Sequence, residues 1–291
     1  MVRLIIISMR PAQWVKNTVV LAALVFAQRL LVPIDIVKSL GAFAIFCMIS
    51  GAGYLFNDVC DAESDRRHET KRLRPVASGE LPARTALGTA AVVTLVALVV
   101  SALLGTEFLL TAAAYLILNA LYSLWLKRVV IIDVMAVALG FMLRAIAGGE
   151  ALNVEISPWL VICTIFLALF LVMGKRRQEL VFMKENATSH RSVLAEYSSQ
   201  LLDQMIAVVT TSTVIVYVLY TTSPSVQDKL GTTKLFITIP FVVYGIFRYL
   251  YLVHGRAQGG SPERLLFSDL PLLVNVLLWF AAACLALYVW H

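Results

Sequence analysis

Charge is what this chain has least of. Of its 291 residues only 14% are charged while 60% are apolar, and the mean hydropathy is +0.84. A surface of that composition cannot face water throughout, so a soluble domain is excluded and most of the exterior must meet lipid. Cysteine and histidine are scarce too, four of each. Cys47, Cys60, Cys163 and Cys284 are scattered, with no CxxC and no His at ligand spacing, which excludes a zinc site and a disulfide framework and leaves them as apolar filler. Strand-like alternation is missing from the apolar runs. Because backbone groups cannot stay unpaired in lipid, the runs must therefore be helices. A soluble-domain boundary and a low-complexity tract are also missing, so the expectation is one transmembrane domain over 1–291. The formal charge of +6 belongs to loops. It argues against nucleic acid as a partner and for a basic rim facing anionic lipid or a phosphorylated substrate.

What is there is a series of nine apolar runs, at about 17–32, 36–56, 84–104, 108–126, 132–150, 157–174, 204–222, 233–252 and 270–290. Most are near the roughly 20 residues a helix needs to cross the hydrocarbon core. The start, with Arg3, Arg10 and Lys16 ahead of an apolar stretch, superficially resembles a signal peptide. Pro11-Ala12-Gln13-Trp14 interrupts it and the cleavage pattern is poor, so it reads as an interfacial lead-in to a short first span. With the N-terminus inside, 18 of the 24 Lys and Arg fall in inner segments, Arg191 and Arg256 among them, and 4 in outer ones. That bias makes the N-terminus cytoplasmic. The fold class expected is all-α: an integral membrane bundle of nine transmembrane helices with its active site at the cytoplasmic face, where the connections are long.

The second run ends in Asn57-Asp58-Val59-Cys60-Asp61-Ala62-Glu63-Ser64-Asp65. On a helix, at about 100° per residue, Asp58, Asp61 and Asp65 fall within about 60°, Asn57 lies about 40° beyond, and Glu63 points away. Clustered carboxylates at a membrane boundary repel one another unless a cation neutralises them. A hard divalent ion such as Mg2+ takes carboxylate oxygens and shares them with substrate phosphates. The bland alternative is a solvated acidic helix end. Next come Arg66, Arg67, Lys71, Arg72 and Arg74. Cations beside carboxylates suit a metal–diphosphate substrate, although a basic loop is also an ordinary stop-transfer signal.

Four further features carry charge near or inside spans. Tyr122 and Lys127 close the fourth run. Asp133 heads the fifth and wants a partner, with Lys127 or Arg128 the nearest in sequence. Arg144 lies deep in the fifth run and must face the bundle interior, whereas Arg248 is nearer an end and reads as snorkelling. Lys175, Arg176 and Glu179 share one helical face, as a self-paired anchor or as the second wall of an anion pocket.

Asn57-Asp58-x-x-Asp61-x-x-x-Asp65 resembles the first aspartate-rich motif of the UbiA superfamily of intramembrane prenyltransferases, and Tyr122-x-x-x-Leu126-Lys127 is similar to that superfamily's YxxxLK segment. Four more segments resemble the branch that makes decaprenylphosphoryl-5-phosphoribose. They are Arg10-Pro11-x-Gln13-Trp14-x-Lys16-Asn17, Lys71-Arg72-x-Arg74-Pro75-x-Ala77-Ser78-Gly79, Arg144 to Gly149, and Gly174-Lys175-Arg176-x-x-Glu179-Leu180. The chain departs from the prenyl-diphosphate users at the last of these, where they carry a second aspartate motif.

The resemblance implies Mg2+, with Mn2+ as a substitute, held by Asn57, Asp58, Asp61 and Asp65, the three aspartates being catalytic. It implies substrate contacts from Lys16, Asn57, Arg66, Lys71, Arg74, Tyr122, Lys127, Asp133, Arg144, Lys175, Arg176 and Glu179. The reaction implied is transfer of a 5-phosphoribosyl group from phosphoribosyl pyrophosphate to a polyprenyl phosphate in a bacterial cell membrane. Two alternatives stand beside it: a prenyltransferase using a polyprenyl diphosphate and an aromatic or other acceptor, and a multi-pass transporter or lipid-binding protein.

Overall fold

Proline and capping residues cut the apolar sequence into helices at the places where the runs change character. We describe the chain from a computed structural model over residues 1–186, 194, 196–255 and 262–290; Arg191 and Arg256 of the charge count lie outside the described residues. Eight long helices follow one another: α1 (Pro33–Cys60), α2 (Ala83–Ser101), α3 (Thr106–Leu124), α4 (Ile132–Leu152), α5 (Pro158–Asn186), α6 (Ser199–Thr222), α7 (Ile239–Gly255) and α8 (Leu270–Tyr288). Proline stands in the first turn of α1 and α8, where its missing N–H is no loss. Ser198 and Asp269 cap α6 and α8 by accepting from Leu201 and Leu272 N–H. Asn153 ends α4 in the left-handed region at φ 54°.

Among the described residues eight helices are long and apolar enough to cross a membrane. The expected first span takes another form. It begins at Pro11 rather than near residue 17, winds as a 3-10 helix over 11 residues to Leu21 and continues as α-helix over 5 residues to Phe26. The chain then turns at Gln28, φ 56°. At rises of about 2.0 and 1.5 Å per residue these lengths reach about 30 Å, close to the thickness of a hydrocarbon core. Winding at three residues per turn stacks every third side chain, so Asn17 and Val20 are both fully buried.

That burial depends on a glycine. A Cβ on Gly148 of α4 would lie 2.1 Å from the Val20 carbonyl oxygen, which is backbone and cannot swing aside. Gly148→Ala is therefore expected to destabilise the fold by about 1–3 kcal/mol. Gly88→Ala, where a Cβ would meet open space, should not. Thermal unfolding of the two variants in one detergent checks the pair.

Helix α4 runs through the middle. Val134 and Ala138, in its first half, pack with Leu169, Phe170 and Met173 of α5, Ile206 of α6 and Tyr249 of α7. Ala147 and Ala151, in its second half, pack with Val20, Phe46 of α1, and Phe108 and Tyr115 of α3. Large apolar side chains such as Val92, Leu95, Leu110, Ile117, Phe247 and Leu277 point outward, as a bundle solvated by lipid requires. Arg248 is not snorkelling. Its guanidinium grips Asp269 with both arms, Nε to Oδ1 at 3.0 Å and Nη2 to Oδ2 at 2.7 Å, so α7 is tied to the cap of α8.

Candidate active site

Helix α1 stops at Cys60, and Asp61 is its C-cap as well as the start of a short helix, Ala62–Arg66. The acidic stretch keeps nearly helical geometry through this junction. Asp58 and Asp65 are buried, Asp61 is partly so, and Glu63 points away and pairs with Arg67 on the surface. The following loop is pinned by its own sequence. Pro75 keeps Arg74 extended (ψ 141°) and starts the turn Pro75–Ser78, which Gly79 closes at φ 86°. Val76 and Leu81 then bury against Leu55 and Ala86.

This pinning aims Arg74 back at the aspartates. Its Nη1 donates to Asp65 Oδ2 at 2.6 Å and Asp58 Oδ1 at 3.3 Å. Arg10, itself left-handed at φ 53° ahead of Pro11, also donates to Asp58 and lies 4.8 Å over the Tyr54 ring. Lys127, buried at 7% exposure, bonds Asp61 Oδ1 at 2.5 Å and Asn57 Oδ1 at 3.1 Å, while the Asn57 amide donates to Asp61 Oδ2 at 3.0 Å. Four residues thus offer hard oxygen donors on one helical end, and three cations hold the carboxylates. Among the described residues no three His, Cys, Asp or Glu already stand at metal-ligand spacing. The donor chemistry fits a hard divalent cation. Arg66 does something else: its Nε holds the Ala77 carbonyl at 3.1 Å and so braces the loop. Lys71 opens the short helix Lys71–Leu73, half-buried.

The second motif is built differently from the sequence expectation. Asp133 is fully buried, and its partner is neither Lys127 nor Arg128. Arg176 Nε donates to Asp133 Oδ2 at 2.9 Å, and Tyr197 OH donates to Oδ1 at 2.7 Å. The same guanidinium reaches Glu179 Oε2 at 2.7 Å and Tyr122 OH at 3.3 Å, and Lys175 lies 3.9 Å from Glu179. Two cations thus face two carboxylates, so this wall is close to neutral rather than basic. It also explains a strained turn. Ile131 has φ 68° and ψ −46°, a γ-turn closed by Ile132 N–H to the Val130 carbonyl at 2.8 Å, and β-branched residues avoid it. The Ile131 N–H is taken by Tyr197 OH at 2.8 Å. Burial first, and Asp133 second, push the Tyr197 phenol well up, which keeps it a proton donor. Tyr197→Phe is expected to cost about 1–3 kcal/mol of stability, since it strips partners from buried polar groups; a denaturant midpoint that does not move would contradict this.

The basic wall comes from elsewhere. Arg144, 6% exposed, donates from Nε to Asn17 Oδ1 at 2.7 Å, from Nη1 to the Gly140 carbonyl at 2.9 Å and from Nη2 to Tyr115 OH. It lies 4.6 Å over the Tyr115 ring and 5.1 Å over Phe141. Asn17 is oriented in turn by donating to Ser50 Oγ at 3.0 Å. No carboxylate among the described residues lies in ion-pair range of Arg144. Lys16, on the same 3-10 segment, is within electrostatic reach of both Arg144 and Lys175.

The residues not anticipated as site components are Arg10, Gln13, Asn17, Tyr115, Tyr197 and Glu263. Three of them, Arg10, Gln13 and Asn17, stand in the Arg10–Asn17 segment already singled out by resemblance. Tyr197 and Glu263 sit in connections between long helices that carry no legible pattern. A cavity of about 610 Å³, lined by Phe26, Arg29, Glu155, Trp159, Tyr220 and Lys229 among others, opens at the opposite end of the bundle, far from these charges.

The chain is similar to known proteins over nearly all of its length. Residues 18–270 match the model of the UbiA prenyltransferase family. The chain is 35% identical to the decaprenyl-phosphate phosphoribosyltransferase of Corynebacterium glutamicum, over 97% of this chain and 86% of that one. It is 34% identical to the enzyme of the same name from Mycobacterium tuberculosis, over 94% and 91%. Among solved structures, a UbiA homolog from Archaeoglobus fulgidus bound to DMAPP and Mg2+ superposes with a TM-score of 0.71 at 17% identity, covering 97% of this chain and 98% of that one. The same homolog bound to Cd2+ gives 0.69 at 18% identity, covering 97% and 98%.

Proposed function

This chain belongs to the UbiA prenyltransferase family, and we propose that it is a membrane-bound transferase moving a 5-phosphoribosyl group from phosphoribosyl pyrophosphate onto a polyprenyl phosphate, in keeping with relatives named decaprenyl-phosphate phosphoribosyltransferase. The product is a lipid-linked phosphoribose, a form in which a pentose can be delivered to envelope assembly. The observation that carries the reading is the asymmetry of the site. One carboxylate cluster, Asp58, Asp61 and Asp65, is held by Arg10, Arg74 and Lys127, while Arg144, bonded to Asn17, Tyr115 and a carbonyl, has no counter-charge in ion-pair range among the described residues.

A prenyl-diphosphate user needs a second carboxylate set for a second metal. Here that place is taken by Lys175-Arg176-x-x-Glu179, and the Arg176 guanidinium binds both Asp133 and Glu179. A donor with one diphosphate and one phosphate monoester, together with an acceptor that is itself a phosphate, fits one metal and several cations.

Asn57, Asp58, Asp61 and Asp65 would hold a divalent cation, Mg2+ with Mn2+ as a substitute, which would supply Lewis-acid neutralisation of the departing pyrophosphate. Arg10, Arg74 and Lys127 add charge-assisted hydrogen bonds to the same oxygens. The ribose C1–oxygen bond breaks with its electron pair leaving on pyrophosphate, and an anionic phosphate oxygen of the lipid forms the new bond to C1. No proton moves, so no general base is required; catalysis is positioning and charge stabilisation. Lys16, Lys175 and Arg144 receive the remaining phosphate oxygens, with Lys71, Tyr122, Arg176 and Glu179 around them. In this reading the chain is a single unit, the Pro11–Phe26 segment makes a ninth crossing, the N-terminus is cytoplasmic, and the protein resides in a bacterial inner membrane.

The test uses purified protein in lipid vesicles with radiolabelled phosphoribosyl pyrophosphate, Mg2+ and a polyprenyl phosphate. Label moving into extractable lipid, and stopping with EDTA, is the expected result. Label entering lipid only when a prenyl diphosphate and an aromatic acceptor replace this pair would overturn it.

A further inference from the structure

The short helix Pro262–Ser268 lays one carboxylate into the basic wall. Glu263 is 9% exposed. Gln13 Nε2 donates to its Oε1 at 2.5 Å, while Lys16 Nζ stands 3.7 Å from Oε2, beyond hydrogen-bond distance. The 3-10 winding stacks Gln13 and Lys16 on one edge, so both face the same group. Oε2 is enclosed yet accepts no hydrogen bond from any described residue. Oε2 thus has an ion-pair partner in Lys16 and keeps lone pairs able to accept a hydrogen bond from a ligand hydroxyl. Burial raises the Glu263 carboxyl, but Lys16 and Gln13 outweigh it and hold it below its usual range, so it is an acceptor-only anion. The group is tied to the site through its partners: Gln13 and Lys16 stand on the segment whose N-cap, Arg10, donates to Asp58 and whose Asn17 accepts from Arg144.

An anion among cations that must receive phosphates repels what the wall attracts, unless the ligand also brings hydroxyl donors. Ribose does, and a prenyl chain has none. Resting on the phosphoribosyl reading, we propose that Glu263 determines donor specificity by accepting hydrogen bonds from the ribose hydroxyls of the donor, with Gln13 and Lys16 fixing its orientation.

The experiment compares phosphoribosyl pyrophosphate with its 2,3-dideoxy analogue in wild type, Glu263→Ala and Glu263→Gln, each reconstituted with polyprenyl phosphate. Wild type is expected to favour the hydroxylated donor by about tenfold to a hundredfold in kcat/KM, the worth of hydrogen bonds to a charged acceptor. Glu263→Ala should lose that preference through KM, leaving turnover of the dideoxy donor near wild type. Dividing one ratio by the other removes the analogue's own reactivity. A structural role for Glu263 lowers both donors by one factor, and that outcome overturns the proposal. Should Glu263→Ala not fold, Glu263→Gln, which keeps the shape, must still show a reduced preference, and an unchanged one is equally fatal. A wild-type protein inactive with both ribosyl donors but active with a prenyl diphosphate would refute the phosphoribosyl reading itself, and this inference with it. A wild type active on both ribosyl donors without preference refutes the inference alone.

Discussion

Asp58→Asn is expected to lower transfer by about a thousandfold, roughly 4 kcal/mol of transition-state stabilisation, while leaving the fold intact. The choice of residue follows from what each carboxylate's loss would strand. Removing the charge of Asp61 leaves Lys127, 7% exposed, buried without its ion pair, and a stranded charge unfolds proteins for reasons unrelated to catalysis. At Asp58 the cations keep other support: Arg74 retains Asp65 at 2.6 Å, and Arg10 is 27% exposed. The substitution therefore reports on metal and diphosphate rather than on packing. A binding measurement separates the two. Mg2+ with pyrophosphate should stabilise wild type by about 2.7 kcal/mol at a hundred times the dissociation constant, raising its unfolding temperature, and should not raise that of Asp58→Asn. Equal shifts in both proteins would remove the aspartate cluster from the metal site.

The second large effect is expected at Arg144→Met, and there activity and stability should part company. Arg144 is a nearly buried cation whose partners are an amide, a phenol and a carbonyl, none of them charged. Holding an uncompensated charge there destabilises the empty protein, so methionine of similar length should leave the unfolding temperature unchanged or higher, even with Asn17 and Tyr115 losing a donor. Transfer should fall by about a hundredfold or more, mainly as a raised KM for a phosphate-bearing substrate, because truncating one partner of a buried charge pair costs about 2–5 kcal/mol. Arg144→Lys keeps the charge without the planar fork and should lie between. A purely structural arginine predicts the reverse: a lower unfolding temperature, with activity lost only in proportion to unfolded protein.

What could be read before any coordinates were seen was local. The Asn57–Asp65 spacing puts its carboxylates on one face because the backbone there stays nearly helical through Asp61, and the Arg74-Pro75 dipeptide and Gly79 shape the loop that returns Arg74 to them. What escaped was long-range. Asp133 finds Arg176 and Tyr197 from distant helices, and counting only Lys175, Arg176 and Glu179 made that wall look basic when Asp133 balances it. The cations that do hold the aspartates are Arg10, Arg74 and Lys127, two of which come from distant parts of the chain. A three-residue winding sustained over 11 residues is invisible in an apolar pattern, since Leu and Val suit any helix. Gly148 is the kind of small residue that permits close packing, but that its neighbour is the Val20 carbonyl is a tertiary fact.

The central claim is that one metal–diphosphate site facing a cationic wall selects a phosphoribosyl donor and a lipid phosphate acceptor. Its most direct test is the mass of the lipid product when wild-type protein, in vesicles with Mg2+ and polyprenyl phosphate, is offered phosphoribosyl pyrophosphate and a prenyl diphosphate together with an aromatic acceptor. The account predicts polyprenyl phosphate heavier by one phosphoribosyl group, with the aromatic acceptor untouched. A prenylated acceptor, with the polyprenyl phosphate unchanged in mass, would contradict it.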